Sequence, residues 1–577
     1  MAPSTPTVII HDAQSQVWLG FHDPVATLIA HTPDQVLSLL KTLQQQVEQH
    51  HLYAAGFLSY EAALAFDPAF TVKTTSFPLA WFGLYAKPEA IKLPPPSLSS
   101  PLAWLPDITQ SQYDEAFNQV KHYISQGLTY QVNLSFRLNA PFLQSPWQYF
   151  NQLAQNAPYG AFIETSDWAI CCASPEIFFR QNSHEIYCRP MKGTVPRGLT
   201  HAGDRLLAQW LRNSEKNQAE NIMIVDMIRN DLGRIAQLGT VEVTSLFNLE
   251  QYPTLWQMTS SVQCRTQAPI SEIFQALFPC ASITGAPKLQ TMKIIAELEN
   301  TPRKIYTGTI GFITPNRTSQ FNVAIRTVLI NKNDRIAEYG VGGGIVWDSQ
   351  AGAEFEECRT KAKVLTAQQP KFSLLETLLW TPEKDYFLLD LHLQRLTTSA
   401  QYFAFPVDQS MVQDYLKAIA PTLPPQPHKI RLLLSPQGIL THESSPFVQA
   451  QQPLRVCLAP DPIDSTHIFL YHKTSDRQVY AQAQQQCPGY DDVILWNENG
   501  ELTEFCTGNL VVELNGKWYT PPLECGLLAG TFRAWLLHQK IVQERIIRAK
   551  ELVNCSRVFL VNSVRQRQEA IVDPFSP

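Results

Sequence analysis

The chain has 577 residues, of which 45% are hydrophobic and 17% charged, with a formal net charge of −6. That length exceeds what a single core fills, so two or more domains are expected. The mildly acidic balance leaves no basic footprint for nucleic acid, and no uninterrupted run of about 18 apolar residues offers a membrane span.

The opening stretch, MAPSTPTVIIHDAQ, lacks the basic and apolar regions of a secretory signal. Eleven cysteines are scattered without a CxxC pair. That pattern argues against a disulfide framework or a zinc site and fits a reducing cytoplasm. Residues 87–112 are rich in Pro and Ser and read as a long surface connection. The helix-like run YDEAFNQVKHYISQG follows, then strand-like WAICCAS and EIYCRPM. The last of these enters RPMKGTVPRG, residues 189–198, where Lys192 stands as a strand gives way to a turn. A lysine there is either a solvated turn residue or a nucleophile at the mouth of a site.

Glu220 lies in the helix-like run EKNQAENIMIVDMIRNDLGRI. ASITGAPK, residues 281–288, reads as a turn that exposes backbone N–H groups and the Thr284 hydroxyl. YTGTIGFIT and NVAIRTVLI read as strands, and Arg326 in the second is a charge in an apolar run. It needs a partner, either a protein carboxylate or a ligand's. In GVGGGIVWDS, the backbone at Gly342, Gly343 and Gly344 can approach an anion closely. AEFEECRTKAKVL contains no Gly or Pro and reads as a helix. Glu354, Glu357 and Lys361, spaced by three and then four positions, share one of its faces. Alone, that is a solvated face with an ion pair. Beside the glycines it suggests an anionic substrate next to a metal, with Glu220 and Glu357 supplying carboxylates from two helices.

TAQQPKF, residues 366–372, separates this helix from a new apolar pattern, SLLETLLW, and the main domain boundary is placed there. Beyond it, His392 and Arg395 fall on a helix, and Lys473 ends an apolar strand, HIFLY. Glu504 and Asn509 fall in a turn between strands, and CGLLAGTFR puts Gly530 and Thr531 in a turn entering a helix, a phosphate cup. A lysine, a carboxylate, an arginine and a phosphate turn are the parts of a pyridoxal phosphate site.

In chain order, YQVNLSFR, ASPE, PMKGT, ENIMIVDMIRNDLGR, SITGAPK, YTGTIGF, AIRT, GGGIVWDS and EFEECRTKAK closely resemble the chorismate-utilising enzymes over about residues 110–366. The resemblance implies an α+β fold with two large, mostly antiparallel sheets around a buried site, and Mg2+ bridging enzyme and chorismate. It implies Glu220 and Glu357 as metal ligands with Glu354 in support. Arg326 and Tyr306 would hold the enolpyruvyl carboxylate, and Lys361 with the backbone of Gly342–Gly344 the ring carboxylate and its metal. Thr284 falls among the substrate contacts. Members that make aminodeoxychorismate typically carry lysine at position 192, whereas those that make anthranilate or isochorismate usually carry alanine. A desolvated amine there can add to the ring as the C4 hydroxyl leaves, after which ammonia displaces it.

Two positions depart from the family pattern. Asn217 stands where aspartate is frequent, and Gln257 where histidine is. They put in question outer support of the metal and proton delivery to a leaving hydroxyl. No Gly-x-Cys-x-Gly elbow occurs, so the resemblance implies ammonia from a separate glutamine amidotransferase subunit.

From about 372 to 565 the motif order resembles the fold-type IV pyridoxal phosphate enzymes, a smaller α/β domain. That implies Lys473 as the Schiff-base lysine and Glu504 as partner of the pyridine nitrogen. Arg395, Asn509 and Thr531 would be phosphate contacts, and the strand that opens stand-alone relatives is missing. The expected division is an N-terminal portion 1–110, a catalytic domain 111–366, a linker 367–372 and a second domain 373–577. The fusion favours a lyase that converts 4-amino-4-deoxychorismate into 4-aminobenzoate, for folate, in the cytoplasm. The alternatives are an anthranilate- or isochorismate-type synthase joined to a branched-chain or D-amino acid aminotransferase-like domain, or a second domain that serves only as a scaffold.

Overall fold

The computed structural model describes residues 7–94, 101–155, 157–362, 365, 372–449 and 453–573. The expected linker therefore lies, except for Phe372, outside the described residues. The chain divides into two compact units. One comprises Met1–Val195 and Trp210–Gln368, the other Pro196–Gln209 and Gln369–Pro577.

The first unit is built on two ten-stranded sheets. The pairings of one, which includes Gln131–Pro141 and Ile336–Ile345, are antiparallel throughout. Side chains alternate across its strands as a pleat requires. Val8 and Ile10 enter one apolar cluster and Ile9 another, and Cys172 and Cys171 do the same. The cluster with Val8 and Ile10 also takes Phe57, Trp81, Ile310 and Phe312 from the other sheet, so the two sheets share this core. Helices cover the outer faces. Glu215–Gly233 buries Asn221, Ile224, Val225, Ile228 and Leu232, a stripe at helical spacing.

Two strand expectations change. NVAIRTVLI is not one strand. Thr318–Asn322 belongs to one sheet and Thr327–Asn331 to the other, and the chain crosses between them at Arg326, whose φ is +50°. Asn322 anchors the crossing by donating from Nδ2 to the Tyr159 carbonyl at 2.8 Å. Likewise, EIYCRPM divides into Glu185–Cys188 and Met191–Pro196, so Lys192 stands inside an edge strand rather than in a turn.

In the second unit, a four-stranded sheet built on Leu374–Thr381 packs against the helices Leu389–Phe403 and Gln409–Ile419. A second, mixed sheet has eight strands, with Leu454–Leu458 parallel to both of its neighbours. An additional pairing of Leu502–Phe505 with Asn509–Leu514 closes part of this sheet on itself, and the closing residue pair is Glu504 with Asn509. HIFLY, expected as a strand, is instead a 3-10 turn over Ile468–Leu470, and Lys473 lies in the extended chain after it.

Candidate functional sites

The site in the first unit is assembled where Gln131–Pro141 pairs with Ile336–Ile345. Gly342, Gly343 and Gly344 face Ser135, Leu134 and Asn133 in that ladder. They are therefore strand residues, not the free anion turn that their sequence suggests. Their value is space. A Cβ on Gly344 would lie 2.8 Å from Gln131 Nε2 and 3.3 Å from Lys192 Nζ, and one on Gly343 would lie 2.9 Å from Glu354 Oε2. On the neighbouring Gly340 it would sit 2.1 Å from the Tyr306 ring. The bare backbone thus leaves room for the Tyr306 ring at Gly340, for Glu354 at Gly343, and for Gln131 and Lys192 together at Gly344.

Burial lowers the pKa of Lys192, against the pull of the Glu220 and Glu176 carboxylates. The ammonium of Lys361 adds to the lowering and Glu357 opposes it. Glu220 is raised by burial, with Lys192 opposing and Glu357 reinforcing, so the two carboxylates feel each other. Glu354 is also raised by burial and accepts from Ser349 Oγ at 2.7 Å. Burial would raise Glu357 too, but the ammonium of Lys361, 2.8 Å away, outweighs it and lowers its pKa. Lys361 Nζ also donates to the Gly342 carbonyl at 2.9 Å. Glu354, Glu357 and Lys361 share one helix, Ala351–Ala362, as their spacing requires.

Arg326 is half-buried and, among the described residues, has no carboxylate partner, so the protein ion pair that the sequence left open is not formed. Tyr306 is 6% exposed, and burial raises its phenol. Thr284 differs from expectation. It is fully buried, its hydroxyl bonds the carbonyls of Cys280 and Ala281, its N–H also donates to the Ala281 carbonyl, and its own carbonyl accepts from the Asn133 N–H at 2.8 Å, so its polar groups are all engaged within the fold. The two departures, Asn217 and Gln257, bracket the strand that carries Lys192. Gln257 donates from Nε2 to the Gly193 carbonyl at 2.9 Å and accepts from Thr194 Oγ1 at 3.0 Å. Asn217 lies against Gly193. Gln257 thus ties down the segment beside Lys192, and Asn217 packs against it.

Two residues were not singled out by the sequence, although the motifs that hold them were. Glu176, in ASPE, is 4% exposed, and burial pushes its pKa up to about 7, with Ser282 and Lys192 opposing. It therefore carries an exchangeable proton near neutrality, beside Lys192. Gln131, in YQVNLSFR, is 1% exposed, and among the described residues neither of its side-chain polar atoms has a hydrogen-bond partner. A buried amide is costly to leave unpaired, so this one calls for a polar ligand. Among the described residues, no group of three or more His, Cys, Asp or Glu side chains is placed to hold a metal by itself. Glu220 with Glu357 does fit a hard cation that takes its other oxygens from substrate and water.

The site in the second unit centres on Lys473. Burial lowers its pKa to about 8, helped by Arg395. Glu504 is 3% exposed, and burial raises it to about 7. Tyr480 donates to its Oε1 at 2.8 Å and Asn509 Nδ2 to its Oε2 at 3.0 Å. Closure of the sheet at Glu504 and Asn509 thus immobilises this carboxyl. Gly530 is bare for a reason, since a Cβ there would meet Asn509 Oδ1 at 1.8 Å. It caps the helix Thr531–His538, whose first N–H groups lack helical partners and face an anion readily.

Arg395 grips a carboxylate missed by the sequence reading. Its Nε and Nη2 bond Glu376 at 2.9 and 2.6 Å, and Nη1 reaches the Ala529 carbonyl at 3.1 Å. Glu376 also holds His392 Nδ1 at 2.7 Å, and His392 Nε2 meets Thr531 Oγ1 at 3.3 Å. A lysine poised to lose its proton, a fixed carboxyl and an arginine beside a helix N-terminus suit a ligand with a carbonyl, a basic ring nitrogen and a phosphate. The eleven cysteines are all unpaired, and no helix among the described residues is long and apolar enough to cross a membrane.

A family model described as chorismate binding enzyme matches residues 5–367, and one described as amino-transferase class IV matches residues 373–568. The chain is similar to aminodeoxychorismate synthase component 1 of Klebsiella aerogenes, 38% identical over 294 residues. That match covers 50% of this chain and 64% of the relative. It is also similar to the protein of that name from Escherichia coli K12, 40% identical over 272 residues, which cover 46% of this chain and 60% of the relative. The chain thus spans less than two thirds of these curated relatives. Among solved structures, anthranilate synthase component I from Streptococcus pneumoniae TIGR4 superposes with a TM-score of 0.54 at 24% identity. The superposition covers 64% of this chain and 93% of that one, and it shows the same fold.

Proposed function

We propose, from the premise that the chain belongs to the chorismate binding enzyme family, that its first unit aminates chorismate to 4-amino-4-deoxychorismate and that its second converts this product into 4-aminobenzoate and pyruvate. The observation that carries the reading is Lys192, a lysine whose pKa burial lowers, converging with Gln131 on the bare backbone of Gly344. In this reading residues 111–366 are the catalytic domain, preceded by the N-terminal portion 1–110 and followed by the linker 367–372 and the domain 373–577. Ammonia comes from a separate glutaminase subunit, and both reactions proceed in the cytoplasm.

Arg326, without a protein carboxylate, holds the enolpyruvyl carboxylate together with Tyr306. Lys361 and the Gly342–Gly344 strip bind at the ring carboxylate. Glu220 and Glu357 would hold Mg2+, with Glu354 beside them; bound there, the ion supplies Lewis acidity and charge neutralisation. The neutral amine of Lys192 adds to ring C2 as the two conjugated ring double bonds shift, from C1=C2 to C1=C6 and from C5=C6 to C4=C5, and the C4–O bond breaks. Glu176, protonated near neutrality, gives the proton with which the hydroxyl leaves as water. Ammonia then attacks C4, the C2–N bond breaks, and Lys192 is regenerated. Two successive displacements leave C4 with its original configuration.

In the second unit the residues fit pyridoxal 5′-phosphate. Thr531 and Arg395 would hold its phosphate, Glu504 its ring nitrogen and Lys473 its carbonyl carbon; Asn509, expected at the phosphate, instead donates from Nδ2 to Glu504 and to the Leu528 carbonyl at 2.8 Å and so holds Glu504 in place. Bound there, the cofactor supplies an electron sink. Lys473 would be the base that removes the C4 proton of the bound substrate. Enolpyruvate leaves from C3, and the gain of an aromatic ring drives the step without an amino acceptor.

The deciding experiment gives the purified chain chorismate, Mg2+ and an ammonium salt, and identifies the product. 4-Aminobenzoate supports both halves. Accumulated 4-amino-4-deoxychorismate removes the lyase assignment, and anthranilate overturns the role of Lys192. A Lys192→Ala chain should bind chorismate yet fail to aminate it.

A further inference from the structure

The second compact unit includes Pro196–Gln209, a segment that the sequence places deep inside the first domain. Arg197 opens it. Its Nε and Nη2 bond the two oxygens of Asp204 at 2.7 and 2.8 Å, and the two side chains are only 5% and 2% exposed. The Gly198 N–H donates to the same carboxylate at 2.9 Å, so the loop is tied around one buried charge. From that fixed position Arg197 reaches Tyr402. Nη2 donates to the Tyr402 carbonyl at 2.8 Å, and the guanidinium lies 4.1 Å from the centre of its ring.

Tyr402 passes the constraint on. Its ring packs on His472 with centroids 4.4 Å apart, and Phe403 meets the same imidazole at 4.9 Å. Ser399 Oγ bonds His472 Nδ1 at 3.0 Å, and His472 is 2% exposed. The next residue is Lys473, whose carbonyl accepts from the Leu375 N–H at 2.9 Å. The peptide carrying Lys473 is therefore pinned on one side by a backbone hydrogen bond from the strand Leu374–Thr381 and on the other by the ring stack. A flat guanidinium on an aromatic face, itself locked by a buried two-point ion pair, is a stiff backing for that stack. Separating so deeply buried a pair leaves an uncompensated charge and is costly, so the pair holds Arg197 in one geometry.

We propose that Arg197 is a positioning residue for Lys473, so that a segment of the first domain's sequence is a built-in part of the second catalytic centre. It acts through Tyr402 and His472 and touches neither substrate nor cofactor. The inference rests on the reading of Lys473 as the cofactor lysine. Arg197 directly follows the strand Met191–Pro196, so one short run of chain carries Lys192 and the clamp on Lys473. The charges facing Lys473 are Arg395, Glu376, Arg477 and Glu504, and those facing His472 are Arg197, His201 and Asp204. Any displacement of Lys473 relative to its four neighbours changes its proton affinity.

The test loads the full chain and its Arg197→Ala and Arg197→Lys variants with pyridoxal phosphate and titrates the visible absorbance from neutral to alkaline pH. A second readout is the fraction of chains in which borohydride fixes the cofactor to Lys473, measured by peptide mass spectrometry. In Arg197→Ala the midpoint should move by about half a pH unit or more, roughly a threefold change in the proton equilibrium. The fixed fraction should fall as well. Arg197→Lys, which keeps the charge but not the planar fork, should lie between. An unchanged midpoint in a folded Arg197→Ala chain overturns the proposal. If that variant does not fold, Arg197→Lys decides by the same criterion. If the unmodified chain develops no visible band at all, the cofactor reading falls and the proposal with it. A normal band with an invariant midpoint sinks the role of Arg197 alone.

Discussion

Glu376→Gln removes a charge that the second unit is built around, and the structure sets its size. Glu376 is 2% exposed and takes Arg395 on both oxygens and His392 on one. Burial by itself would raise its pKa; Arg395 and His392 outweigh that and hold it at about 2, against an ordinary 4.5. The difference corresponds to about 3 kcal/mol favouring the folded, ionised state. An independent route agrees, since removing one partner of a buried ion pair costs about 3–5 kcal/mol. The assay is hydrogen exchange read by mass spectrometry on peptides from the helix Leu389–Phe403, with the helix Glu215–Gly233 as internal reference. Core amides of the first helix should exchange on the order of a hundredfold faster in Glu376→Gln, while the reference is unchanged. Because the folded pKa is depressed, this stabilisation is complete above the unfolded pKa and is lost as pH falls towards the folded one. The gap between the two proteins should therefore close in acid. Acceleration of less than about fivefold at neutral pH would refute the account, since it corresponds to only about 1 kcal/mol.

Gly340→Ala drives a methyl group into the Tyr306 ring, 2.1 Å away. Chorismate binding should weaken by about tenfold or more, as overpacking of roughly 1–3 kcal/mol implies, measured as KM with ammonium in excess. Amination should follow a bell-shaped pH profile. The rate needs Lys192, lowered by burial, without its proton and Glu176, raised by burial to about 7, with its own, so it should fall on both sides of an optimum. A Glu176→Gln chain should be slow and lack the alkaline limb. Gly530→Ala puts a methyl group 1.8 Å from Asn509 Oδ1 and should reduce pyridoxal phosphate uptake by about tenfold, read by equilibrium dialysis. Formation of the visible band by the unloaded chain should accelerate as pH rises through about 8, where Lys473 becomes neutral.

Local spacing and motif order determined a great deal. The shared face of Glu354, Glu357 and Lys361 follows from helical periodicity and is realised on Ala351–Ala362. Lys192, Glu220, Lys473, Glu504 and Arg395 were singled out because each sits in a motif whose residue types suggest a chemistry. Tertiary structure alone decided what depends on contacts between distant parts of the chain. Gly342–Gly344 read as a loop until pairing with Asn133–Ser135 made them a strand that clears space for side chains. Glu176 and Gln131 gain their meaning from burial beside Lys192, and Glu376 from the grip of Arg395. NVAIRTVLI looks like one strand because apolar alternation carries no information about which sheet it joins. Pro196–Gln209 reads as part of the first domain because chain order is all a sequence offers, whereas Asp204 and Tyr402 place Arg197 in the second unit. The physical reason is common to all of these: burial and partner choice are properties of the folded surroundings, and a linear pattern encodes only the part of them that repeats with the period of its own helix or strand.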